Sequence, residues 1–366
     1  MENKNWEKFL FPSVFKIEKG FYNKKPSSKY NDNDIPFLGA TAFNNGVSDF
    51  YNIRDIEEAS KVGYGNNEDL DKKIFTENSI VVTNNGSVGH AYFHKTKFTC
   101  SHDVNPLYLK NKILNKNSAI FLITCIEKQK VCFEYARKWR PKRMVKSSLL
   151  LPVGTNNSPD YEYMEQYSRS IFKRKEKEYL DYIKERLNEL KTASKPIPLE
   201  EKEWSSFSID DLFDINIGKN IDGNKIDKEN GRTPYVTRKE SNNGLDGFID
   251  FEDVFLNKIY PVLTIGNETS EPFVQNFMFY TGTKVNIMKP KTKLNRYSLS
   301  FISTSLKKHK SKYSYSYTIN STRLKKQRVF LPINSNGSPD YEYMEQYMKY
   351  NEYQKLKEYI DFKNKT

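Results

Sequence analysis

Short apolar runs separated by polar turns occupy most of the chain, and two long polar stretches with helical spacing interrupt them. Residues 79–83 and 261–265 are rich in β-branched side chains and end at Asn or Gly, which is typical of buried strands. Residues 149–151 and 329–331 are predicted to be shorter strands. The apolar spacing over residues 119–132 fits a helix and a buried strand equally well. Short strands mixed with helices predict an α+β fold.

The peptide Pro-Asp-Tyr-Glu-Tyr-Met-Glu-Gln-Tyr is present twice, at residues 159–167 and 339–347. An identical nine-residue peptide does not recur by chance in a chain of 366 residues, so the chain contains an internal duplication. Upstream, Trp6 and Trp204 open similar segments that differ by 198 in residue number, whereas the peptides differ by 180. The second unit is therefore shorter. We place the extra residues of the first unit in a loop at residues 54–71, because loops absorb length changes at little cost.

Each repeated peptide is predicted to begin a helix. Ser158 and Ser338 are expected to be N-caps, which puts Pro159 and Pro339 at the first helical position, where a missing N–H costs nothing. Acidic residues follow in the first turns, where the helix dipole stabilises negative charge. The first helix continues without Gly or Pro to about residue 194.

The two helices carry apolar residues at the three- and four-residue intervals of a coiled coil. We predict that they pack on each other as an antiparallel coiled coil, with the two units related by a pseudo-two-fold axis. A helical hairpin that supports a single core is the alternative. The residues assigned to helix packing or partner docking are Met164, Ile171, Leu180, Ile183, Leu187, Leu190, Met344, Leu356 and Ile360.

The duplication divides the chain into four segments. Folded units are predicted at residues 1–158 and 196–337. Each is followed by a spacer helix, at residues 159–195 and 338–366. The length of the chain also favours two domains over one.

The formal net charge is +13, and the excess lies in the two folded units. Residues 1–158 carry +8 and residues 196–337 carry +5, whereas the two helical segments carry +1 and −1. A codon bias towards lysine would charge the helices as well. The split therefore favours a polyanionic partner for the folded units and a protein partner for the helices.

Cysteine content and hydropathy bear on location. Cys100, Cys125 and Cys132 are odd in number and predict no disulfide framework, as in a reducing compartment. Residues 119–126 form the longest apolar run, which is too short to cross a bilayer, and the N-terminus has no apolar signal segment. We expect a cytoplasmic protein with no membrane partner.

Two clusters of basic residues with interleaved aromatic residues, the first around Trp139, lie near the ends of the two units. Because Arg143 and Arg323 differ by 180 in number, the same face is expected to be charged twice. Basic side chains suit contacts with phosphate and with base edges; a solvated loop is the alternative. The predicted nucleic-acid contacts are Arg137, Lys138, Arg140, Lys142, Arg143, Lys146, Lys307, Lys308, Lys310, Lys312, Tyr313, Tyr315, Arg323, Lys325 and Lys326.

Catalytic patterns are present in weak form. Residues 105–108, Asn-Pro-Leu-Tyr, resemble the Asn-Pro-Pro-Tyr loop of amino-methyltransferases but lack its second Pro and a preceding Gly-rich cofactor loop. Residues 339–340 and 361–363 resemble a nuclease signature, yet both fall on one predicted helix. Four residues could be metal ligands but have no His or Cys counterparts in the second unit: His90, His94, Cys100 and His102. We predict no catalytic residue, no metal and no bound cofactor.

The layout resembles that of the specificity subunits of type I restriction-modification systems, in which two variable target recognition domains are each followed by a similar helix. Residues 85–89, Asn-Gly-Ser-Val-Gly, are similar to a Gly-Ser-x-Gly turn of those domains, from which the second unit departs at residues 266–270. Residues 143–152 are similar to their closing segment. The repeated peptide is closer to the specificity subunits of BcgI-like type IIB systems. The resemblance implies that Asn85 and Ser87 of the turn contact DNA.

The resemblance further implies a non-catalytic subunit that reads the two halves of a bipartite double-stranded DNA target. Two modification subunits, which bring S-adenosylmethionine and methylate adenine, would dock on the helices. A restriction subunit, or a nuclease fused to the methylase, would cleave the DNA. A BcgI-like type IIB specificity subunit is the alternative within the family. A self-contained nuclease or methyltransferase, and a basic adaptor that binds no DNA, are the alternatives outside it.

Overall fold

The computed structural model describes residues 4–133, 137–314 and 316–365. The chain forms two compact units, Met1–Glu178 and Tyr179–Thr366. Each is a mixture of short strands and helices, so the predicted α+β class is confirmed. No helix among the described residues is long and apolar enough to cross a membrane.

The strands described in the first unit form three sheets. The first and last strands, β1 (Trp6–Leu10) and β9 (Ser148–Pro152), pair in antiparallel register and join the two ends of the unit. An antiparallel sheet has the order β2 (Phe15–Ile17), β8 (Val104–Leu109), β5 (Ser79–Thr83), β6 (Ala91–His94). In the third sheet, β3 (Ile35–Leu38) lies between the antiparallel β4 (Val47–Tyr51) and the parallel β7 (Thr99–Cys100).

The ambiguous segment at residues 119–132 is helical. It lies in α3 (Lys116–Glu127), and a 3-10 turn follows at Lys128–Cys132. The side chain of Asn115 caps this helix by accepting the backbone N–H groups of the second and third helical residues. The first unit also contains α1 (Phe11–Val14), α2 (Ile53–Glu58) and α4 (Pro141–Met144). The long helix α5 (Tyr161–Leu190) begins in the first unit and ends in the second.

The second unit repeats this topology strand for strand, which confirms the duplication. Its strands are β10 (Trp204–Ser208), β11 (Phe213–Ile217), β12 (Thr233–Val236), β13 (Leu245–Ile249), β14 (Val262–Gly266), β15 (Pro272–Gln275), β16 (Tyr280–Thr281), β17 (Val285–Pro290) and β18 (Arg328–Pro332). They form the sheets β10-β18, β11-β17-β14-β15 and β13-β12-β16. The helices are α6 (Ile209–Leu212), α7 (Arg296–Lys307), α8 (Ser321–Lys325) and α9 (Tyr341–Lys365).

The extra residues of the first unit are partly helical. Between β4 and β5 the first unit contains α2, where the second unit has a 3-10 turn at Asp253–Phe255. The buried ammonium group of Lys73 donates hydrogen bonds to the carbonyl oxygens of Glu57 (2.8 Å) and Ala59 (2.9 Å) at the end of α2. Lys73 thereby satisfies carbonyl groups that lack partners within a short helix. The prediction of a loop over residues 54–71 is therefore wrong for its first part.

Both long helices begin two residues later than predicted, and their N-caps are aspartates. The carboxylate of Asp160 accepts the backbone N–H of Tyr163 at 2.9 Å, and Asp340 accepts that of Tyr343 at 3.0 Å. The predicted caps Ser158 and Ser338 were wrong because the proline after each serine forms a β-bridge, Val153 to Pro159 in the first unit. The first helix also ends at Leu190, slightly before the predicted residue 194.

Within the second unit, the part of α5 from Tyr179 to Leu190 runs antiparallel to α9. Moving along α5, Tyr179 meets Tyr359 with ring centroids 5.2 Å apart, and Arg186 then pairs with Glu352 at 2.7 Å from Nε to Oε1. Ile183 lies between these contacts and is fully buried. The predicted antiparallel packing is confirmed for these residues. Leu190 is also buried, and Leu180, Leu187, Leu356 and Ile360 are half-buried.

Met164 and Met344, which were predicted to pack the helices or dock a partner, are fully buried in the core of their own unit. Each methionine lies one turn after the helix N-terminus and fixes the helix to the domain before it. They are therefore packing residues that a partner cannot reach. Ile171, one of the same predicted set, is half-buried farther along α5.

A buried histidine distinguishes the two units. His94 on β6 is 5% exposed, and its Nε2 has no hydrogen-bond partner among the described residues. Burial lowers the pKa of His94 from an ordinary value of 6.5 to about 4. The corresponding residue on β15 is Gln275, which donates to Thr264 and to the backbone at 3.0 Å and does not titrate.

The substitution His94→Gln should therefore remove a pH-dependent part of the stability of the first unit. His94 is neutral in the folded chain, and it takes up a proton on unfolding as the pH falls below 6.5. The free energy of unfolding of the wild type should then decrease from pH 6.5 towards pH 4 by at most about 1.4 kcal/mol per pH unit more than that of the variant. Urea denaturation of the wild type and the variant at several pH values measures the difference. An identical pH slope in both proteins would contradict the assignment.

Candidate nucleic-acid interface

A cleft of about 650 Å³ opens in the first unit, next to the N-terminus of α4. The cleft is lined by the segments that follow β2, α2, β5 and β7, by the start of β8 and by α4. None of the described residues that line it is acidic. The cleft is therefore a site of concentrated positive potential that suits an anionic ligand. Its basic residues are Lys19, Lys61, Arg140, Lys142 and Arg143.

The floor of the cleft is a pair of buried asparagines. Asn84 donates from Nδ2 to Oδ1 of Asn105 at 2.6 Å, and Asn105 donates to the carbonyl oxygen of Glu18 at 2.9 Å. The second unit has the same pair, Asn267 and Asn286, whose side-chain amide groups lie 2.7 Å apart. The pair is thus part of the duplicated framework.

The wall above this floor differs between the units. In the second unit, Ser321 donates to Oδ1 of Asn286 at 2.7 Å, whereas Pro141 at the corresponding position of the first unit has no hydroxyl group. Asn320 caps α8 by accepting the N–H of Arg323, whereas Arg140 at the corresponding position makes no capping bond. Arg140 is exposed, and its guanidinium has no ion-pair partner among the described residues.

Arg143 and Arg323 hold the loop before their short helix in the same way. Nη1 of Arg143 donates to the carbonyl oxygen of Lys138 at 2.8 Å, and Nη1 of Arg323 donates to that of Thr318 at 2.7 Å. The guanidinium of Arg323 also lies 4.0 Å above the ring of Tyr317. These arginines shape the loop, and their predicted contacts with DNA remain a prediction.

Trp139, around which the first basic cluster lies, is a core residue. It is fully buried, stacks on Phe133 with ring centroids 4.6 Å apart, and donates from Nε1 to Ser147 at 3.0 Å. Because the ring is anchored, the basic residues on either side of it project from a fixed segment. Arg137 lies over the Phe133 ring, Lys138 is half-buried, and Lys142 and Lys146 are exposed.

In the second unit, several of the predicted basic residues are neutralised by carboxylates. Glu271 is 5% exposed and pairs with Lys307 at 2.5 Å and with Lys310 at 2.9 Å. Burial by itself opposes the ionisation of Glu271, but the hydrogen bonds from both lysines lower its pKa below the usual value. Lys325 similarly lies 3.5 Å from Asp210. The two faces are therefore not charged alike.

The remaining predicted contacts of the second unit form a smaller exposed set. Tyr313 stacks on Tyr317 with ring centroids 5.8 Å apart, which makes its aromatic face part of the loop structure. Tyr315 lies outside the residues that the structure describes. Lys308, Lys312 and Lys326 are exposed, with no ion-pair partner in the described part of the chain.

The turn at residues 85–89 is held by its own contacts. Asn85 donates to Asp103 at 2.8 Å, and the carbonyl oxygen of Ser87 accepts the hydroxyl of Thr83. Both residues are half-buried, and their contacts with DNA remain a prediction. In the second unit an ion pair of Arg238 with the half-buried Glu268 stands near the corresponding turn.

Among the described residues, those that resemble catalytic or metal-binding motifs do not come together in one site. Asp340 is a helix cap that pairs with Lys202 at 2.7 Å, and Asp361 lies 21 residues farther along the same helix, roughly 30 Å away. These two carboxylates cannot share a metal ion. Asn105 is buried in the floor of the cleft, on a strand. His90, His94, Cys100 and His102 form no metal-binding group among the described residues.

Sequence reasoning missed Lys19, Lys61 and the asparagine pair, because they are far apart in the chain. One signal was available, since Gly20 and Gly218 match between the copies. A Cβ atom at Gly20 would lie 1.9 Å from the carbonyl oxygen of Ser101, so only glycine allows the segment after β2 to approach the segment after β7. A glycine present in both copies therefore marks the wall of the cleft.

Two copies of one α+β domain, each followed by a long helix, define a tandem two-domain protein with a basic cleft in its first unit. The chain belongs to the family described as the type I restriction modification DNA specificity domain, whose profile matches residues 3–181 and again residues 201–360.

One relative and one solved structure that resemble this chain are also specificity subunits. The chain is 52% identical over 150 residues to the specificity subunit S.BcgI of a type II restriction enzyme from Heyndrickxia coagulans. The match covers 40% of this chain and 43% of that relative, which is less than half of its length. The fold is similar to the S subunit of a type I restriction-modification system from M. genitalium, with a TM-score of 0.50 and 15% identity over 99% of this chain and 92% of that one.

Replacing Arg143 by Ala or by Lys should loosen the loop before α4. Both variants lose the hydrogen bond to the carbonyl oxygen of Lys138, although Lys keeps the charge. A loss of about 1 kcal/mol would raise local amide exchange roughly fivefold. Hydrogen exchange of the backbone N–H groups of residues 143 and 144, which donate to the carbonyl oxygen of Arg140 at the end of this loop, measures the effect, with Lys142→Ala as the neighbouring control. Unchanged protection in both Arg143 variants would show that the bond does not hold the loop.

Proposed function

We propose that the chain is the DNA-recognition subunit of a restriction-modification complex and carries no catalytic residue of its own. The observation that carries the proposal is the tandem repetition of a DNA specificity domain along the chain. The excess positive charge, +8 in residues 1–158 and +5 in residues 196–337, supports a polyanionic partner for both units.

In this proposal the cleft of the first unit contacts one half of a bipartite target. Lys19 and Lys61 contact phosphate groups on one wall, because the lysine ammonium group is a point charge that suits phosphate. Arg140 and Lys142 on the other wall reach base edges or phosphates, and arginine is the residue that pairs with guanine in two hydrogen bonds. The asparagine floor fixes the depth of the cleft because its own amide groups are already engaged.

The second unit reads a different half of the target. At the positions of Arg140, Pro141 and Lys142 it has Asn320, Ser321 and Thr322, which offer hydrogen bonds without positive charge. Two domains with one framework and different side chains at the same wall suit two unlike half-sites. An asymmetric bipartite target follows from this difference.

The long helices serve as spacers and as the docking surface for protein partners. Their segments carry almost no net charge, +1 and −1, which suits protein contact rather than DNA contact. Two modification subunits supply S-adenosylmethionine and methylate adenine within the target. A restriction subunit cleaves in a type I complex.

A type IIB assembly, in which the partner fuses methylase and nuclease, is the second candidate. The identity of 52% to a type II specificity subunit over 150 residues favours it. The sequence of the modification subunit encoded beside this chain separates the two candidates, since only the type IIB partner would contain a nuclease domain.

The substitutions Arg140→Ala and Lys142→Ala should each weaken DNA binding without unfolding the first unit. Each side chain is exposed and unpaired among the described residues. Its removal should therefore lower the affinity for DNA and leave the stability of the unit unchanged. The slope of log affinity against log salt should fall by about 0.9 for each lost phosphate contact. Duplexes selected from a random pool by the purified complex serve as probes, and Lys112→Ala, exposed outside the cleft, is the control. Equal affinities and slopes in all four proteins would reject the cleft as the DNA site.

Insertion of four residues after Lys175 should lengthen the spacer between the half-sites. Residues 172–179 are exposed, so an extra turn there leaves the packing of residues 180–190 in place. One turn adds about 6 Å, or roughly two base pairs of B-form DNA. Mapping of methylated adenines in host DNA reads out both half-sites and the spacer. An unaltered spacer, with methylation retained, would reject α5 as the spacing element.

A further inference from the structure

An exposed aromatic groove lies between α3, strand β9 and the first half of α5 in the first unit. Its volume is about 630 Å³. Trp6 stacks on Phe121 with ring centroids 5.9 Å apart, and Phe121 meets Tyr167 edge to face at 5.7 Å. Tyr163 stacks on Tyr167 at 6.0 Å and completes a row of four rings. Two of these rings, Tyr163 and Tyr167, belong to the repeated peptide.

The second unit contains the same groove with the same geometry. Its volume is about 570 Å³. Trp204 stacks on Phe301 at 6.1 Å, Phe301 meets Tyr347 edge to face at 5.7 Å, and Tyr343 lies 6.0 Å from Tyr347. The interplanar angles at the edge-to-face contacts are 86° and 84°. The centroid distances of corresponding ring pairs agree within a few tenths of an ångström, although the side chains at the cleft wall differ between the two units.

Folding of the units does not require these rings to be exposed. Trp6 and Trp204 are 44% and 38% exposed, and the lip of each groove carries a still more exposed apolar residue, Leu150 at 52% and Phe330 at 63%. A contiguous exposed apolar surface on a soluble protein marks an interaction site. Its presence twice, in matching form, indicates one ligand bound in two copies.

A lysine stands at the same rim of each groove. Lys128 and Lys308 follow the last residue of α3 and of α7, respectively, and both are exposed. Neither ammonium group has an ion-pair partner in the parts of the chain that the structure describes. The ligand is therefore expected to place a carboxylate at this rim and an apolar side chain on the rings.

We propose that each groove binds one copy of the same segment of the modification subunit, so that the chain carries two modification subunits at equivalent sites. The segment is amphipathic, with a bulky apolar anchor and an acidic side chain about one helical turn away. An exposed aromatic cluster with a charged rim has the composition of a binding hot spot. This inference rests on the proposed function, since it takes the modification subunit as the partner.

The test uses the full chain co-purified with the modification subunit encoded beside it. Leu150→Glu and Phe330→Glu each put a charge at the lip of one groove, on side chains that are more than half exposed. Ile113→Glu and Phe277→Glu, which are 78% and 69% exposed and lie outside the grooves, are the matched controls. Native mass spectrometry counts the bound modification subunits, and circular dichroism confirms that each variant is folded.

Two bound modification subunits are expected for the wild type and for both controls. Each single groove variant should retain one copy, and the double variant should retain none. In titrations at low salt, Lys128→Glu with Lys308→Glu should weaken binding at least tenfold. Two copies retained by the double groove variant would overturn the inference while leaving the proposed function intact.

Two other results identify other failures. A wild-type chain that binds no modification subunit would overturn the proposed function itself, and with it this inference. A chain that instead dimerises, and becomes monomeric in the double groove variant, would assign the grooves to a second copy of this chain and reject the modification subunit as their occupant.

Discussion

The antiparallel pairing of the first and last strands closes each unit on itself, and the remaining structure depends on this closure. The pairing sets Trp6 opposite Pro152 in the first unit and Trp204 opposite Pro332 in the second. It also brings Lys4 within 2.6 Å of the helix cap Asp160, and in the second unit Lys202 pairs in the same way with Asp340. The direction of each long helix is therefore fixed by the domain that precedes it. The aromatic groove forms where this closure meets the helix.

The two units show which positions a shared framework constrains and which it leaves free. Strand order, the asparagine floor, the helix caps and the groove rings are the same in both units. Side chains differ at the cleft wall, as with Arg140 against Asn320, and on the edge strand of the four-stranded sheet, as with His94 against Gln275. Conserved packing with variable wall chemistry allows a domain to change its ligand without losing stability.

Much of the fold could be predicted from the sequence, because the two copies of the unit can be compared with each other. Strands such as β5 were recognised from β-branched runs, and the seam around Ile183 from its spacing. The N-caps were misplaced by two residues because the bridge at Pro159 depends on pairing with Val153, a contact that local pattern does not reveal. The number of unpaired basic side chains in the second basic cluster was overestimated for a similar reason. Glu271 is distant in sequence from Lys307 and Lys310, so their neutralisation appears only in three dimensions.

The identity of the repeated peptide has a consequence for how such a chain can change. Each unit closes on itself and ends on the same nine residues, so a break and rejoining within that peptide preserves the cap, the buried methionine and the groove rings on both sides of the junction. Genetic exchange at this point would transfer one complete unit, and the residues at the start of the helix would keep the contacts that they make now. The repeat therefore allows each half of the chain to be replaced independently. In every new combination, the helix still begins with the same residues.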